Sequence, residues 1–564
     1  MKRLSFWIFS LWITLICMIF YGRMAAEEKK DDKKGKEQGI EKKNGKIKKS
    51  DLVKVSMGFE AGILADKLTF PTGITFDDQG RIYVAESGAF PVAKPKVLKI
   101  NLDGSKEEIK ITGIDLDNTL LGITYHQGYL YLSHRDKNDL GVISRITLDG
   151  QGETLIEGLP SQGDYHTNKV VFDRQGRMYF GQGTVTNSGV VGPDNAQMRW
   201  LSKHPQAHDI PCKDIVLTGQ KFTSKNPLTK NPYDKVTTGA FQPFGQARAT
   251  RIPGQLKCNG AIYRANADGS GLEVYAWGFR NPFAIGFDAK GQLYVTQNGF
   301  DFRGSRPINN DPDVLLKVEE GKWYGWPDFS STLLPVTDPR FGEAGRTPAF
   351  LIDHLASGLQ SPQRDKNLVA VFPLHSSADQ FDFAPATGPF SKFVGDMFVA
   401  LFGDMLPFTY STGRHKQEHQ AKPSDSGGQG VQGGQGHPAN PESQDHQDEQ
   451  SLQEPSQGHP EGQGEQSKQR HLEEEGYPHA GYSVIRVDFK SEEMMPFVSN
   501  ATFKPASRSN REGGLERPID VKFGPDGAMY IVDFGVLQIT EQGINPIPQT
   551  GAVWKITAVQ KTNP

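Results

Sequence analysis

Five stretches of the chain hold side chains able to move protons or to bind oxygen-rich ligands. His166 lies in GDYHTNKVVFDRQG, just ahead of an alternating apolar run that begins near Val170. An imidazole titrates near neutrality, so a histidine at the rim of a cavity can act as a general base; as readily, it can be a hydrogen-bonded structural group. Arg280 and Asn281 hold the corresponding place in WGFRNPFAIGFD, Arg517 and Asp520 in ERPIDVKFGPDG, and His375 in PLHSSADQFDF. Such residues could bind a polar or anionic ligand, or simply tie loops together. The stretch 297–318, QNGFDFRGSRPINNDPDVLLKV, bunches Asp301, Asp311 and Asp313 with Asn and Gly. Those oxygens suit a hard cation such as calcium. EF-hand spacing is absent, and an Asx-rich turn accounts for the run equally well.

These residues can meet only if separate segments of the chain present them to one place, and an internal repeat supplies the means. An aromatic, a Gly-containing turn and alternating apolar residues with a Tyr or Phe before the last position recur as FDDQGRIYV (76–84), YHQGYLYL (125–132), FDRQGRMYF (172–180), FDAKGQLYV (287–295), FAPATGPFSKFVGDMFVA (383–400) and FGPDGAMYI (523–531). A second short strand alternates with it, carrying one basic residue among apolar ones: Lys99, Arg145, Arg264, Lys317, Arg486 and Lys555. A hairpin plus a further strand cannot bury its apolar face alone, so the units must pack on one another. Six stacked sheets closed in a ring satisfy every unit. The reading is all-β, a six-bladed β-propeller over 52–564, with the candidate residues at the inner-strand entrances and therefore around one mouth.

Composition agrees and sets limits. The 564 residues are 36% hydrophobic with 62 Gly and 33 Phe, enough for a large core. Lys+Arg 63 against Asp+Glu 66 leaves a formal charge of -3, so nothing global points to nucleic acid as a partner. Residues 4–20 are uncharged and mostly apolar behind Lys2 and Arg3, an export segment that is either a cleaved signal (1–26) or a retained membrane anchor. Residues 27–51 form a Lys-rich tether, for which a cell-wall or anionic-lipid contact is the alternative. The propeller is then extracytoplasmic, where oxidation is permitted, and Cys212 and Cys258 are expected to pair. Residues 412–478, rich in Gln, Gly, Ser and His, read as a disordered insertion in blade 5; its histidines could at most bind metals loosely.

Several pieces together resemble the soluble quinoprotein glucose and sorbosone dehydrogenases: LLGITY (120–125), His166 with VVFDRQGRMYFGQG, WGFRNPFAIGFDAKGQLYVTQNG, KWYGWPDF (322–329) and RPIDVKFGPDGAMYIVDFG. That resemblance covers most of 52–560. It implies a six-bladed propeller that oxidises a sugar or related alcohol with pyrroloquinoline quinone (PQQ) and calcium and passes electrons to an external acceptor. His166 would be the general base, Arg280 would also stabilise developing negative charge, and Arg280, Asn281, Arg517, Asp520 and His375 would line the cofactor. The carbonyls of Gly299 and Phe300 would hold calcium, with Asp301, Asp311 and Asp313 near it. Two departures stand out. Ile519 occupies the place of the family's second arginine, and Gly403 that of its lysine, leaving Arg303 or Arg306 as substitutes for the cofactor's carboxylates. The haem motif C-x-x-C-H is absent, so the acceptor is not carried as a c-type haem. Two other readings of the propeller are a non-catalytic carbohydrate- or protein-binding module and a calcium-dependent lactonase-like hydrolase.

Overall fold

The computed structural model describes residues 48–88, 93–343, 346–405, 480–509, 513–540 and 543–559. The expected export segment, nearly all of the tether and the 412–478 insertion lie outside these residues. Among those described, no helix is long and apolar enough to cross a membrane. Contacts divide the chain into residues 1–49 and 50–564. In the first unit only a two-residue strand, Lys48–Lys49, is described.

The second unit is a six-bladed propeller. Blade 1 is built from Pro71–Phe76, Ile82–Glu86, Lys96–Ile100 and Lys106–Glu108, and blade 2 from Leu120–His126, Tyr129–Arg135, Gly141–Thr147 and Gly152–Leu159. Blade 3 takes Val171–Phe172, Met178–Gln182, Ala261–Ala265 and Glu273–Trp277; blade 4 takes Pro282–Phe287, Leu293–Gln297, Val314–Val318 and Leu368–Val371. Blade 5 runs Ala378–Phe383, Met397–Leu401, Ser483–Val487 and Met494–Asn500, with Val53–Val55 added outside. Blade 6 consists of Pro518–Phe523, Met529–Asp533 and Gly551–Ala558, and its outer strand is Phe59–Leu68 from the other end of the sequence. That pairing fastens the ring.

The repeat has a physical basis. In every blade the aromatic of the second strand lies directly across from the basic residue of the third: Tyr83 with Lys99, Tyr131 with Arg145, Tyr179 with Arg264, Tyr294 with Lys317, Phe398 with Arg486 and Tyr530 with Lys555. Cross-strand neighbours of this kind stabilise one another, because a long cation can lay its apolar stem on apolar surface and keep its charge in water. The hairpin turns are set by Asp77, Asp173 and Asp288, whose carboxylates accept from the amides two and four residues on. Neighbouring blades are tied to one another all around the ring. Thr72 donates to the Leu120 carbonyl, Thr124 to Val170, Asn168 to Pro282, Thr296 to Asp379, Phe523 to Asp382, and Ile74 to Asp520.

Blade 3 carries a long excursion between its second and third strands. It contains the hairpin Lys221–Lys225/Lys235–Gly239 and a disulfide between Cys212 and Cys258, S–S 2.07 Å.

Candidate functional site

All six inner strands run the same way along the channel, so the residues preceding them gather at one end with the residues that close the second strands. Loop 163–168 brings His166 there. The His166 carbonyl accepts from Gly183 N–H at 2.9 Å, and Tyr165 and Asn168 donate to Thr184 and Gly181 at 3.2 and 2.8 Å. Gly183 must be glycine, because a Cβ would lie 2.3 Å from that of Tyr165 and 3.0 Å from Asn281 Oδ1. The glycine in YFGQG thus lets blades 3 and 4 close upon each other. Burial, reinforced by the charge of Arg135, holds the imidazole of His166 well below its ordinary range, and its Nδ1 is buried without a hydrogen-bond partner. The imidazole is therefore uncharged at pH 7.

Arg280 packs on the loop that carries His166. Its guanidinium lies 4.6 Å above the Tyr165 ring, donates from Nη2 to Asn187 Oδ1 at 2.8 Å and pairs with Asp301 at 2.7 Å. Asn281 donates to Asn298 Oδ1 at 2.7 Å and accepts from Asn168 at 3.3 Å. These contacts tie Arg280 and Asn281 of blade 4 to Tyr165 and Asn168, the neighbours of His166 on its blade 3 loop, in one network. The same network reaches loop 299–301. Gly299, Phe300 and Asp301 donate their amides to Asp313 Oδ1, Asp311 Oδ2 and Asn187 Oδ1, at 2.9, 2.9 and 3.0 Å. Across a trans peptide the preceding carbonyl points opposite to the amide N–H. The Gly299 carbonyl is therefore turned away from Asp311 and the Phe300 carbonyl away from Asn187.

Each aspartate of this loop has a defined partner set. Asp311 also accepts from Ser331 N and Oγ, Asp313 also accepts from Ala378 N, and burial pushes Asp311 up to about 6 and raises Asp313 as well. Burial acts to raise Asp301 too, but Arg280 and Arg303 outweigh it and hold the carboxyl below its ordinary range. His375, half-buried with φ 60°, is close enough for its charge to be felt by Asp301 and Asp313. Among the described residues no three His, Cys, Asp or Glu side chains converge as a metal-binding group.

The blade 6 residues divide. Asp520 reaches across the channel to Lys169 of blade 3 at 2.6 Å and accepts from Ile74 N at 2.9 Å, leaving Oδ1 without a partner. Arg517 is buried between the rings of Phe402 and Tyr482, at 5.0 and 5.3 Å, and donates to the carbonyls of Phe402, Gly403 and Asp404. The two departures from the dehydrogenase pattern have local causes. Gly403 has φ 97°, and a Cβ there would lie 2.3 Å from the Tyr482 ring, so no side chain fits. Ile519 packs in an apolar cluster with Phe70, Phe402 and Phe534. The expected substitutes are already engaged: Arg303 pairs with Asp164, Asp194 and Asp301 at 2.7, 2.6 and 3.1 Å, and Arg306 with Asp328 at 3.3 Å.

Sequence reasoning passed over Arg135, Tyr165, Lys169 and Asn187. Arg135 carried the one available signal, a charge ending the apolar second strand YLYLSHR at the same mouth.

No family model matches the sequence, and no curated protein sequence does. Solved structures do. The holo PQQ domain of pyranose dehydrogenase from Coprinopsis cinerea is 14% identical, with 90% of this chain and 98% of that one covered and a TM-score of 0.46. The PQQ-bound aldose sugar dehydrogenase of Streptomyces coelicolor is 15% identical, with coverages of 91% and 99% and a TM-score of 0.42. A gluconolactonase from Xanthomonas campestris is 10% identical, with coverages of 91% and 97% and a TM-score of 0.36. PQQ-dependent sugar dehydrogenases are thus among the solved structures to which this chain is similar.

Proposed function

We propose that the protein oxidises a sugar or related alcohol at the propeller mouth with PQQ and calcium, in the extracytoplasmic space, delivering electrons to an external acceptor. The observation that carries this is His166, its pKa lowered by burial, on a loop whose Tyr165 and Asn168 contact Arg280 and Asn281.

The residues fit the groups. Arg280 and Asn281 offer donors to quinone and ring oxygens, and the orphaned Nδ1 of His166 is a buried polar atom awaiting a partner. The carbonyls of Gly299 and Phe300, fixed in direction through their neighbours' amides, would hold calcium. A divalent ion also meets an electrostatic need. The charges of Asp313 and Asp520 both act on Asp379, and Arg280 and Lys169 are already paired to aspartates. Anionic PQQ would enter an acidic mouth, so its binding should depend on calcium.

PQQ, when bound, would supply the hydride acceptor. The protein does the rest. His166, kept neutral by burial, takes the proton of the sugar hydroxyl. Arg280, held over Tyr165 by Asn187 and Asp301, keeps a positive charge where negative charge develops. Asn281, fixed by Asn168 and Asn298, orients its neighbours.

His166→Ala is expected to abolish sugar-dependent dye reduction while leaving PQQ affinity within about threefold, a loss confined to proton transfer. Unchanged turnover would remove His166 from the reaction. The second reading, a non-catalytic ligand-binding propeller, is favoured by the pairing of Arg280 with Asp301 and by the apolar surroundings of Ile519.

A further inference from the structure

Among the buried polar atoms at the mouth without a hydrogen-bond partner in the described residues are Nδ1 of His166 and Nε of Arg135. They come from neighbouring blades, and the charge of Arg135 acts on the His166 ring. Arg135 closes the strand Tyr129–Arg135, and its Nη2 donates to the carbonyls of Gly163 and Tyr165 at 2.9 and 3.3 Å. Its guanidinium is therefore fixed against the loop that carries His166.

Arg135, like Arg517, has no counter-charge in direct contact among the described residues, although the charges of Asp139 and Asp164 reach it. Arg280, Arg303, Arg306 and Lys169 each meet an aspartate within 3.3 Å, whereas Arg135 forms no ion pair among the described residues. Burial lowers its pKa to about 10, which still leaves it a cation at neutral pH. A largely desolvated charge with an idle donor is costly, and an anion relieves both defects with one charge-assisted hydrogen bond. PQQ brings three carboxylates, while Ile519 and Gly403 stand where two cations were expected.

Resting on the reading of this mouth as a PQQ site, we infer that Arg135 is a ligand-binding residue, a blade 2 cation that takes one carboxylate of the cofactor next to His166. Nothing in the dehydrogenase resemblance assigns it. Its two carbonyl contacts hold the guanidinium in place and leave Nε for the ligand.

The test compares PQQ with its trimethyl ester, which keeps the ring system and removes the negative charges. The full-length protein, Arg135→Gln and Arg135→Lys are titrated calorimetrically with each compound in the presence of calcium, after thermal unfolding has shown that the variants are folded. Arg135→Gln is expected to weaken PQQ binding by about 10- to 100-fold, as for loss of a charge-assisted hydrogen bond, and to leave ester binding unchanged. Arg135→Lys should retain part of the affinity for PQQ. Equal PQQ affinity in wild type and Arg135→Gln would overturn the assignment, as would an equal loss for PQQ and ester, which would make Arg135 a loop clamp only. Should Arg135→Gln not fold, Arg135→Lys decides: a loss confined to PQQ supports the assignment, and none, or one shared with the ester, overturns it. Failure of the wild type to bind PQQ would instead sink the functional reading itself.

Discussion

A base that must work at neutral pH has to be uncharged there, and His166 meets that condition through burial first and the nearby Arg135 second. The sign is definite. Its folded-state pKa lies below the ordinary value, so acidification through about pH 6.5 protonates the unfolded chain before the native one. The rate of sugar oxidation should therefore show no ionisation near pH 6.5 and fall only at lower pH. A pH–rate profile with its acid limb centred at 6.5 would contradict the burial argument. Asp209 runs the other way. Its carboxylate accepts from the amides of Val185 and Thr186 and from the Thr186 hydroxyl, and burial pushes it up to about 7. Its stabilising contribution is greatest below the unfolded pKa of about 4 and is lost as pH rises through about 7. Urea unfolding of Asp209→Asn should accordingly compare more favourably with wild type at pH 8 than at pH 4.5. A difference independent of pH would show that Asp209 does not titrate in this range.

The elements were legible wherever a repeat constrained them. The recurring aromatic and the alternating basic residue fall on adjacent strands and face each other in all six blades, so the second and third strands could be read directly. The outermost strands could not. Lys106–Glu108 is exposed and carries no apolar pattern, and the blade 6 outer strand, Phe59–Leu68, lies about 480 to 500 residues from the strand it pairs with. For the site, residues ahead of an inner strand were visible from their register. Arg135 and Asn187 were not, because one ends a second strand and the other sits in a loop whose path no periodicity fixes. At this scale the excursion of blade 3 gives a prediction. Cys212 and Cys258 are 46 residues apart, so their bond should stabilise the fold by about 4 kcal/mol on the loop-entropy account. Cys212→Ser with Cys258→Ser should lower the unfolding free energy by about that amount, and an unchanged denaturant midpoint would show that the loop is held by its packing alone.

Across the whole molecule, one buried pair joins blades on opposite sides of the channel. Lys169 of blade 3 meets Asp520 of blade 6 at 2.6 Å, and the same carboxylate accepts from Ile74 of blade 1. Removing one partner strands the other charge away from water. Lys169→Met should cost about 3–5 kcal/mol, and adding Asp520→Asn should recover a large part of it. Strictly additive losses in urea unfolding would mean that the pair does not act as a unit. The molecule also imposes a condition on its ligand. With aspartates gathered at the mouth and most cations there committed to them, a polyanion needs a divalent ion to enter. Calorimetric titration of the full-length protein with PQQ, with calcium present and after chelation, therefore tests the central claim most directly. The account predicts tight binding with calcium and its loss on chelation. Absence of PQQ binding by folded protein in the presence of calcium would contradict it.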